Sequence, residues 1–579
     1  MARGAAASQN QRCRLTSAGR PMPDQTVISA VSAPPGRAAD ARGAGLWLPI
    51  AVLASAQFVM VLDSSVMNVS ISQIVADLHT TIQGVQLAIT AYTLVMAAFM
   101  LAGAKLGDIL GRDGTFAIGL GVYGLGSLTT AVSPSLGVLL LGWSLVEGLG
   151  AALVMPAIVS LVASTYSGRQ RALAFGIIAG VAGAAIAAGP LIGGWVTTEL
   201  SWRYVFAGET VIVAVILLIR RRMPRSTAAA QRPKLDVVGV AISALGLGLA
   251  VFGVLKSSQW GLIQPRGALT IGGTEITPFG FSIVPFLILA GLGCLGGFVV
   301  WEEHRERQGR DTLLDRSLLR IPPLRAGLST LVMQQLLLLG TFFVLPVYLQ
   351  VVLGLNAFDT GKRLFPMSVT MFVAAMAGPK LAAGFAPRRV AQAGLVAVSV
   401  ASVVLLATID VQLNGTTFAL ALAIFGVGAG LMLSQLSNVI MSSVSSEKTN
   451  EAGGLQGTAQ NLGASLGTAL IGSVLIAALS TGLVSRVEQN PAVPPPVRER
   501  VAQMAQKGIP IVPVADVQHA ALKEGLPPEQ AKALAGDYGD AQLFALKRSL
   551  GAVAVCALVA LWFTRRLPGR VRAPASDGR

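Results

Sequence analysis

The amino-acid sequence predicts an all-α membrane protein of fourteen transmembrane helices, two six-helix bundles with an inserted helix pair between them. Three observations lead there. Only 12% of the 579 residues are Asp, Glu, Lys or Arg and 53% are apolar, whereas soluble domains carry about 25% charged residues and need them to cover a core. Fourteen apolar runs reach the length that crosses a bilayer, about 20 residues each. Finally, Lys and Arg collect in alternate loops, the signature of membrane topology.

Taken in order, residues 1–45 contain six Arg against Asp24 and Asp40, without an apolar core for a signal peptide, and are expected to form a disordered basic cytoplasmic tail. Runs at 46–68, 85–106, 115–133, 136–158, 172–197 and 203–220 make up the first bundle, residues 46–222. The runs 236–256 and 279–301 are the inserted pair within 223–302. Residues 303–325 are charged and hold Pro322 and Pro323, which suits a cytoplasmic connector. The second bundle, 326–565, has runs at 326–352, 363–384, 388–409, 415–442, 455–480 and 543–564. Between its last two runs, residues 481–542 contain PAVPPP at 491–496 and short amphipathic patches, and are expected to cap the outer face. Residues 566–579 form a second cytoplasmic tail.

With the amino terminus inside, 31 of the 44 Lys and Arg fall on the cytoplasmic side, so the net charge of +16 is mostly positive-inside bias. It is spread loop by loop with no continuous patch or interleaved aromatics, which argues against nucleic-acid binding. The cysteines (Cys13, Cys294, Cys556) are too scattered for a zinc site or disulfide framework, and the three histidines lie outside the apolar runs; no cofactor or metal is expected. GLGVYG (119–124) and GLGCLG (291–296) fit a dinucleotide fingerprint but join no soluble strand to a helix, GASLG (463–467) lies inside an apolar run with no His to serve as base, and no phosphate-binding GxxxxGK[ST] loop occurs. The chain reads as a non-enzyme.

Short echoes point to an internal repeat. GAKL (103–106) at the end of the second run recurs as GPKL (378–381) at the end of the tenth, and GPLIG (189–193) in the fifth is echoed by GTALIG (467–472) in the thirteenth.

The segments LDSSVMNVSI (62–71), AYTLVMAAFMLAGAKLGDILGR (91–112), GAAIAAGPLIGG (183–194), WRYVF (202–206), LDVVG (235–239) and LPVYLQVVLGLNAFDTG (345–361) together resemble the major facilitator superfamily, in its fourteen-helix drug/proton antiporter branch. The resemblance implies a secondary active efflux transporter working by alternating access, a small amphipathic substrate or lipid and protons as its partners, a monomer among membrane lipids, and a bacterial plasma membrane with both termini cytoplasmic. A lipid or endogenous-metabolite exporter, or a non-transporting sensor on the same scaffold, are the alternatives. One proton crossing about 100 mV releases roughly 2.3 kcal/mol against about 1.4 kcal/mol per decade of accumulation, so one proton suffices to drive export.

Within these motifs, Asp108, Gly111 and Arg112 match the superfamily's gating turn, and Gly189 and Pro190 match its close-packed, bent helix. Asp113 departs from the pattern by replacing a usual Lys or Arg. In the fourth run Ser144 and Glu147 stand where an Arg and a Gln are usual, and in the sixth Glu209 and Val211 replace a usual Asn and Pro. Counted at about 1.5 Å per residue, Glu147 and Glu209 lie near mid-bilayer, where a carboxylate costs about 2.5 to 3.5 kcal/mol and needs a partner, a proton or a wet cavity. With Asp63 they are the candidate proton carriers. Asn68, Tyr92, Ser144, Gln334, Gln335 and Asn438 are the candidate substrate-pathway residues.

Overall fold

The computed structural model describes residues 41–166, 168–222, 234–265, 269–271, 274–445, 448–507 and 509–568. Of the basic tail expected at 1–45, residues 1–40 lie outside them and residues 41–45 instead belong to the first helix; residues 569–579 of the tail expected at 566–579 and residues 223–233 of the loop after the sixth run also lie outside them. Each apolar run forms a helix: α1 Ala41–Val69, α2 Ile82–Leu110, α3 Arg112–Ala131, α4 Leu136–Thr165, α5 Gly168–Glu199, α6 Arg203–Arg220, α7 Val237–Trp260, α8 Val284–Arg307, α9 Pro322–Val352, α10 Ala357–Gly384, α11 Pro387–Thr408, α12 Gly415–Ser442, α13 Thr449–Gln489 and α14 Pro528–Thr564. The starts follow local chemistry. Thr81, Asn356 and Asn414 cap α2, α10 and α12 by accepting backbone N–H bonds from Gly84, Asp359 and Thr417, and α9, α11 and α14 open on prolines, whose missing N–H costs nothing in a first turn.

Among the described residues eleven of these helices are long and apolar enough to cross a membrane. The exceptions are α3, which glycine and threonine dilute, α6, which carries Arg203, Glu209 and Arg220, and α10. A short antiparallel hairpin, β1 Leu269–Ile271 with β2 Thr274–Ile276, pairs Leu269 with Ile276 and Ile271 with Thr274 between α7 and α8.

The helices pack as two groups, α2 to α6 and α9 to α14, the first also held to α1 through the site described below. The sequence echoes recur as packing. A Cβ on Gly103 of α2 would lie 3.0 Å from the Ala152 carbonyl carbon of α4, and one on Gly378 of α10 would lie 2.5 Å from Ser434 Cβ of α12. Likewise Gly189 of α5 abuts Ser65 of α1 (2.5 Å to Cβ), and Gly467 of α13 abuts Leu336 of α9 (2.9 Å to Cα). The same glycine positions thus permit the same close helix approach in both halves.

The groups meet along two seams, α5 against α10 and α2 against α13, and α7 lies over the second seam, touching both α2 and α13. Its partner α8 is tied to the connector: Glu302 accepts the backbone N–H groups of Leu313 (2.9 Å) and Leu314 (3.2 Å), and Trp301 donates its indole N–H to Asp236 (2.8 Å). Past the connector, Lys448 pairs with Asp315 at 2.5 Å. Burial opposes charge on Asp315, but the Lys448 ammonium and the Ser317 hydroxyl outweigh it and hold the carboxyl below its usual range.

At the end where α1 finishes and α2 begins, helices Pro495–Lys507 and Val514–Lys523 follow α13. Tyr538 of α14 anchors the stretch between and after them, donating to Pro510 O (2.8 Å) and accepting from Val512 N (2.9 Å), while Gln83 at the start of α2 donates to Ile509 O (3.4 Å).

Candidate functional site

Five helices converge on a polar cluster in the first bundle. Residues Leu140–Glu147 of α4 form a π-helical turn, a local widening often found at functional sites. From this turn Trp143 donates its indole N–H to Oδ1 of Asp63 on α1 (2.9 Å), and its ring stacks on Tyr92 of α2 with centroids 4.6 Å apart and planes 5° from parallel. On α3, Tyr123 and Ser127 sit four residues apart on one face and donate their hydroxyls to Oε2 of Glu209 on α6, at 3.3 and 3.4 Å. Glycines bring α3 and α4 together: a Cβ on Gly126 would lie 2.5 Å from the Glu147 backbone nitrogen, and one on Gly150 would lie 2.6 Å from Tyr123 Cα.

Asp63, Glu147 and Glu209 are therefore brought together. One carboxyl oxygen from each lies within 4.8 Å of the others, and all three side chains are buried. Asp63 Oδ2, both oxygens of Glu147 and Glu209 Oε1 have no hydrogen-bond partner, and among the described residues no ion pair reaches any of the three. Two full negative charges at this separation repel by about 3 kcal/mol even at an effective dielectric constant of about 20. Ionised carboxylates held in such a site without an opposite charge each cost several kcal/mol of desolvation.

The gating candidates occupy two other places. Gly111, with φ 85°, turns the chain between α2 and α3 through a conformation open to glycine, and Arg112 donates to Ser160 O of α4 (3.3 Å). Asp113 receives a bidentate bond from Arg220 at the end of α6 (2.8 and 2.5 Å), so the residue that departs from the motif is partnered within its own bundle. Asp108 and Lys105 act electrostatically on Glu451 in the first turn of α13. At the opposite end, Pro190 lies on the α5–α10 seam, where a Cβ on Gly361 would come 2.7 Å from its carbonyl carbon, while Gly189 faces Ser65 of α1.

That opposite end is bolted across the bundles by polar contacts. Gln350 donates to Val69 O (2.5 Å) and accepts from Ser72 N (3.1 Å), Phe358 N donates to Thr198 Oγ1 (3.1 Å), Gln86 donates to Thr468 O (3.0 Å) and Ser465 donates to Thr90 O (3.0 Å).

The pathway candidates are more dispersed. Tyr92 belongs to the carboxyl cluster. Ser144 donates to Ala88 O (2.9 Å) and Asn68 to Ser64 O (2.8 Å), both to backbone. Gln334 is buried with Nε2 3.5 Å from Ala429 O, Gln335 is half-buried, and the Oε1 atoms of both are unpartnered. Asn438 is exposed. Trp143, Tyr123 and Ser127 were not singled out from sequence; the available signal was the i, i+4 pair of hydroxyls on a glycine-rich helix.

Residues 53–468 match the family model of the Major Facilitator Superfamily. The chain belongs to that superfamily. Among its members, the chain is 30% identical over 457 residues to a probable actinorhodin transporter of Streptomyces coelicolor, covering 77% of this chain and 75% of that one. It is 27% identical to the tetracenomycin C resistance and export protein of Streptomyces glaucescens (74% and 76% covered) and 27% identical to the multidrug efflux pump LfrA of Mycolicibacterium smegmatis (74% and 81%). The fold is that of a solved bacterial homologue of the human lysosomal transporter Spinster, at a TM-score of 0.59 and 14% identity over 92% of this chain and 100% of that one. As a major facilitator the protein is a multi-pass membrane protein of a transporter family.

Proposed function

We propose that this protein is a secondary active exporter of amphipathic, drug-like molecules, driven by proton exchange at Asp63, Glu147 and Glu209. The observation that carries the reading is the convergence of three buried carboxyl groups with unpartnered oxygens inside the first bundle. In the second bundle Gln334 and Gln335 offer amides to a substrate. The export and resistance functions of these relatives supply the substrate class.

In this reading all fourteen helices cross the bacterial plasma membrane and both termini are cytoplasmic. The α1–α2 end then faces outside, and the polar bolt between the bundles closes the outer gate. The Asp108 turn and Glu451 belong to the inner gate, where opening lets a proton reach the cluster or leave it as the bundles rock. Single-cysteine variants between 485 and 540 should react with an impermeant maleimide added to intact cells, and those between 221 and 233 should react only after permeabilisation; the reverse pattern would overturn the topology. For function, a fluorescent amphipathic cation loaded into proteoliposomes is expected to leave faster when a pH gradient is imposed. Efflux insensitive to the gradient would sink proton coupling.

A further inference from the structure

We propose that residues 509–512 form a strap carried by the second bundle, lying across the outer end of the α2–α13 seam, and that this strap must release α2 before substrate can leave. The inference goes beyond the exporter reading and rests on it for two things: which end of the molecule is outer, and that substrate leaves there.

The sequence of this stretch makes it a strap. In IPIVP (509–513) the prolines at 510 and 513 fix φ, offer no N–H and push the residue before each into an extended conformation. The stretch therefore joins neither the helix Pro495–Lys507 before it nor the helix Val514–Lys523 after it. Extended chain points successive side chains to opposite sides. Ile509 and Ile511 are accordingly buried, at 5% and 6% exposed, while Pro510 and Pro513 face out. Burial of the two apolar side chains holds the stretch down on the protein.

The backbone of the strap shows which bundle carries it. Main-chain groups that no helix satisfies need other partners, and among the described residues side chains supply them. Four such bonds come from the second bundle: Ile509 N donates to Ser480 Oγ of α13 (3.2 Å), Tyr538 of α14 donates to Pro510 O (2.8 Å) and accepts from Val512 N (2.9 Å), and Gln542 of α14 donates to Val512 O (2.7 Å). The first bundle supplies one, from Gln83 Nε2 of α2 to Ile509 O, and at 3.4 Å it is longer than the usual range of about 2.7 to 3.2 Å. Gln83 Oε1 is buried without a hydrogen-bond partner, so one long bond is all that this amide contributes to the seam.

That asymmetry sets what the strap does when the gate opens. Three residues further along α2, Gln86 donates to Thr468 O of α13 (3.0 Å), and a Cβ on Gly472 of α13 would lie 2.5 Å from Gln86 Cδ, so the two bundles touch at the same end of the seam. For substrate to leave on this side they have to part here. A strap bound equally to both bundles would oppose that step. With four bonds on one side and a single long one on the other, the strap stays with α13 and α14, and the Gln83 bond is the one that breaks.

The test tethers the strap to one bundle or the other in the full chain, reconstituted in proteoliposomes, with Cys13, Cys294 and Cys556 changed to Ser. Gln83→Cys with Pro510→Cys joins it to α2. Val514→Cys with Gly539→Cys joins its far end to α14, where a Cβ on Gly539 would lie 3.3 Å from Val514 Cγ2. Each pair is bridged with a reducible bis-methanethiosulfonate reagent, its unbridged form being the reference, and efflux of a fluorescent amphipathic cation is followed. Bridging 83 to 510 is expected to slow efflux at least about tenfold and reductant to restore it, whereas bridging 514 to 539 should leave efflux within about twofold of the reference. Should the first pair be inactive before bridging, Gln83→Cys with Val512→Cys applies the same tether and leaves both prolines in place. Full efflux with the strap bridged to α2 overturns the proposal and leaves the exporter reading standing. Loss of efflux on bridging 514 to 539 overturns it as well, because the strap would then have to leave α14. No efflux from the wild-type protein sinks the exporter reading and the strap with it.

Discussion

Asp63→Asn is expected to uncouple transport from the proton gradient. One proton crossing about 100 mV supplies roughly 2.3 kcal/mol, enough to sustain an accumulation of about fiftyfold, and the variant should reduce this to equality across the membrane. The reason lies in the connections of Asp63. It alone of the three acids is held by an indole N–H, and that indole belongs to the π-helical turn of α4 that ends in Glu147. Protonation of Asp63 therefore bears on the position of α1 against α4, and an amide at this site keeps the shape and cannot release a proton. Substrate binding at low pH, measured by tryptophan fluorescence, should survive, because the protonated acid and the amide are alike in charge. Glu147→Gln and Glu209→Gln should weaken the pH dependence in the same direction. If all three retain wild-type pH dependence, the cluster is structural and the coupling lies elsewhere.

A substitution far from the carboxyls should produce a comparable loss by another route. Gly361→Val puts a Cβ 2.7 Å from the carbonyl carbon of Pro190, and closer still to its oxygen, on the seam that shuts the α1–α2 end. Overpacking of this kind costs about 1 to 3 kcal/mol, and since the strain exists only while the seam is shut, the closed population should fall about 5- to 150-fold. Turnover should drop accordingly with expression near normal, and a disulfide between cysteines placed at 198 and 358, whose backbone and side chain now meet at 3.1 Å, should form more slowly. Unchanged turnover and unchanged cross-linking would show that this seam does not move during transport.

Helix positions were legible because apolar runs of bilayer length are hard to disguise. Helix ends were less so. α13 continues to Gln489 and α14 begins at Pro528, beyond the runs 455–480 and 543–564, because backbone hydrogen bonding continues through amphipathic turns that hydropathy alone does not mark. The hairpin was missed although LTIGGTEI carries its signal, a Gly-Gly pair between residues of strand-forming type. At the site, Glu147 and Glu209 stood out singly by their cost in a membrane. Their convergence depends on Gly126 and Gly150, whose missing side chains let α3 and α4 touch, and no spacing rule reveals which of 65 glycines does so. Tyr123 lies in GLGVYG, a fragment that reads as a spurious phosphate motif; its tyrosine proves to be a donor to Glu209.

The central claim is that substrate and protons exchange through one protein. The most direct measurement imposes a substrate gradient alone across proteoliposomes containing a trapped pH indicator, with no initial pH difference and the membrane potential clamped. Antiport predicts that the pH of the lumen changes as substrate flows, with protons moving against the substrate, and that the change vanishes when Asp63, Glu147 and Glu209 are neutralised together. Substrate flow in the wild-type protein with no change in lumenal pH would contradict it.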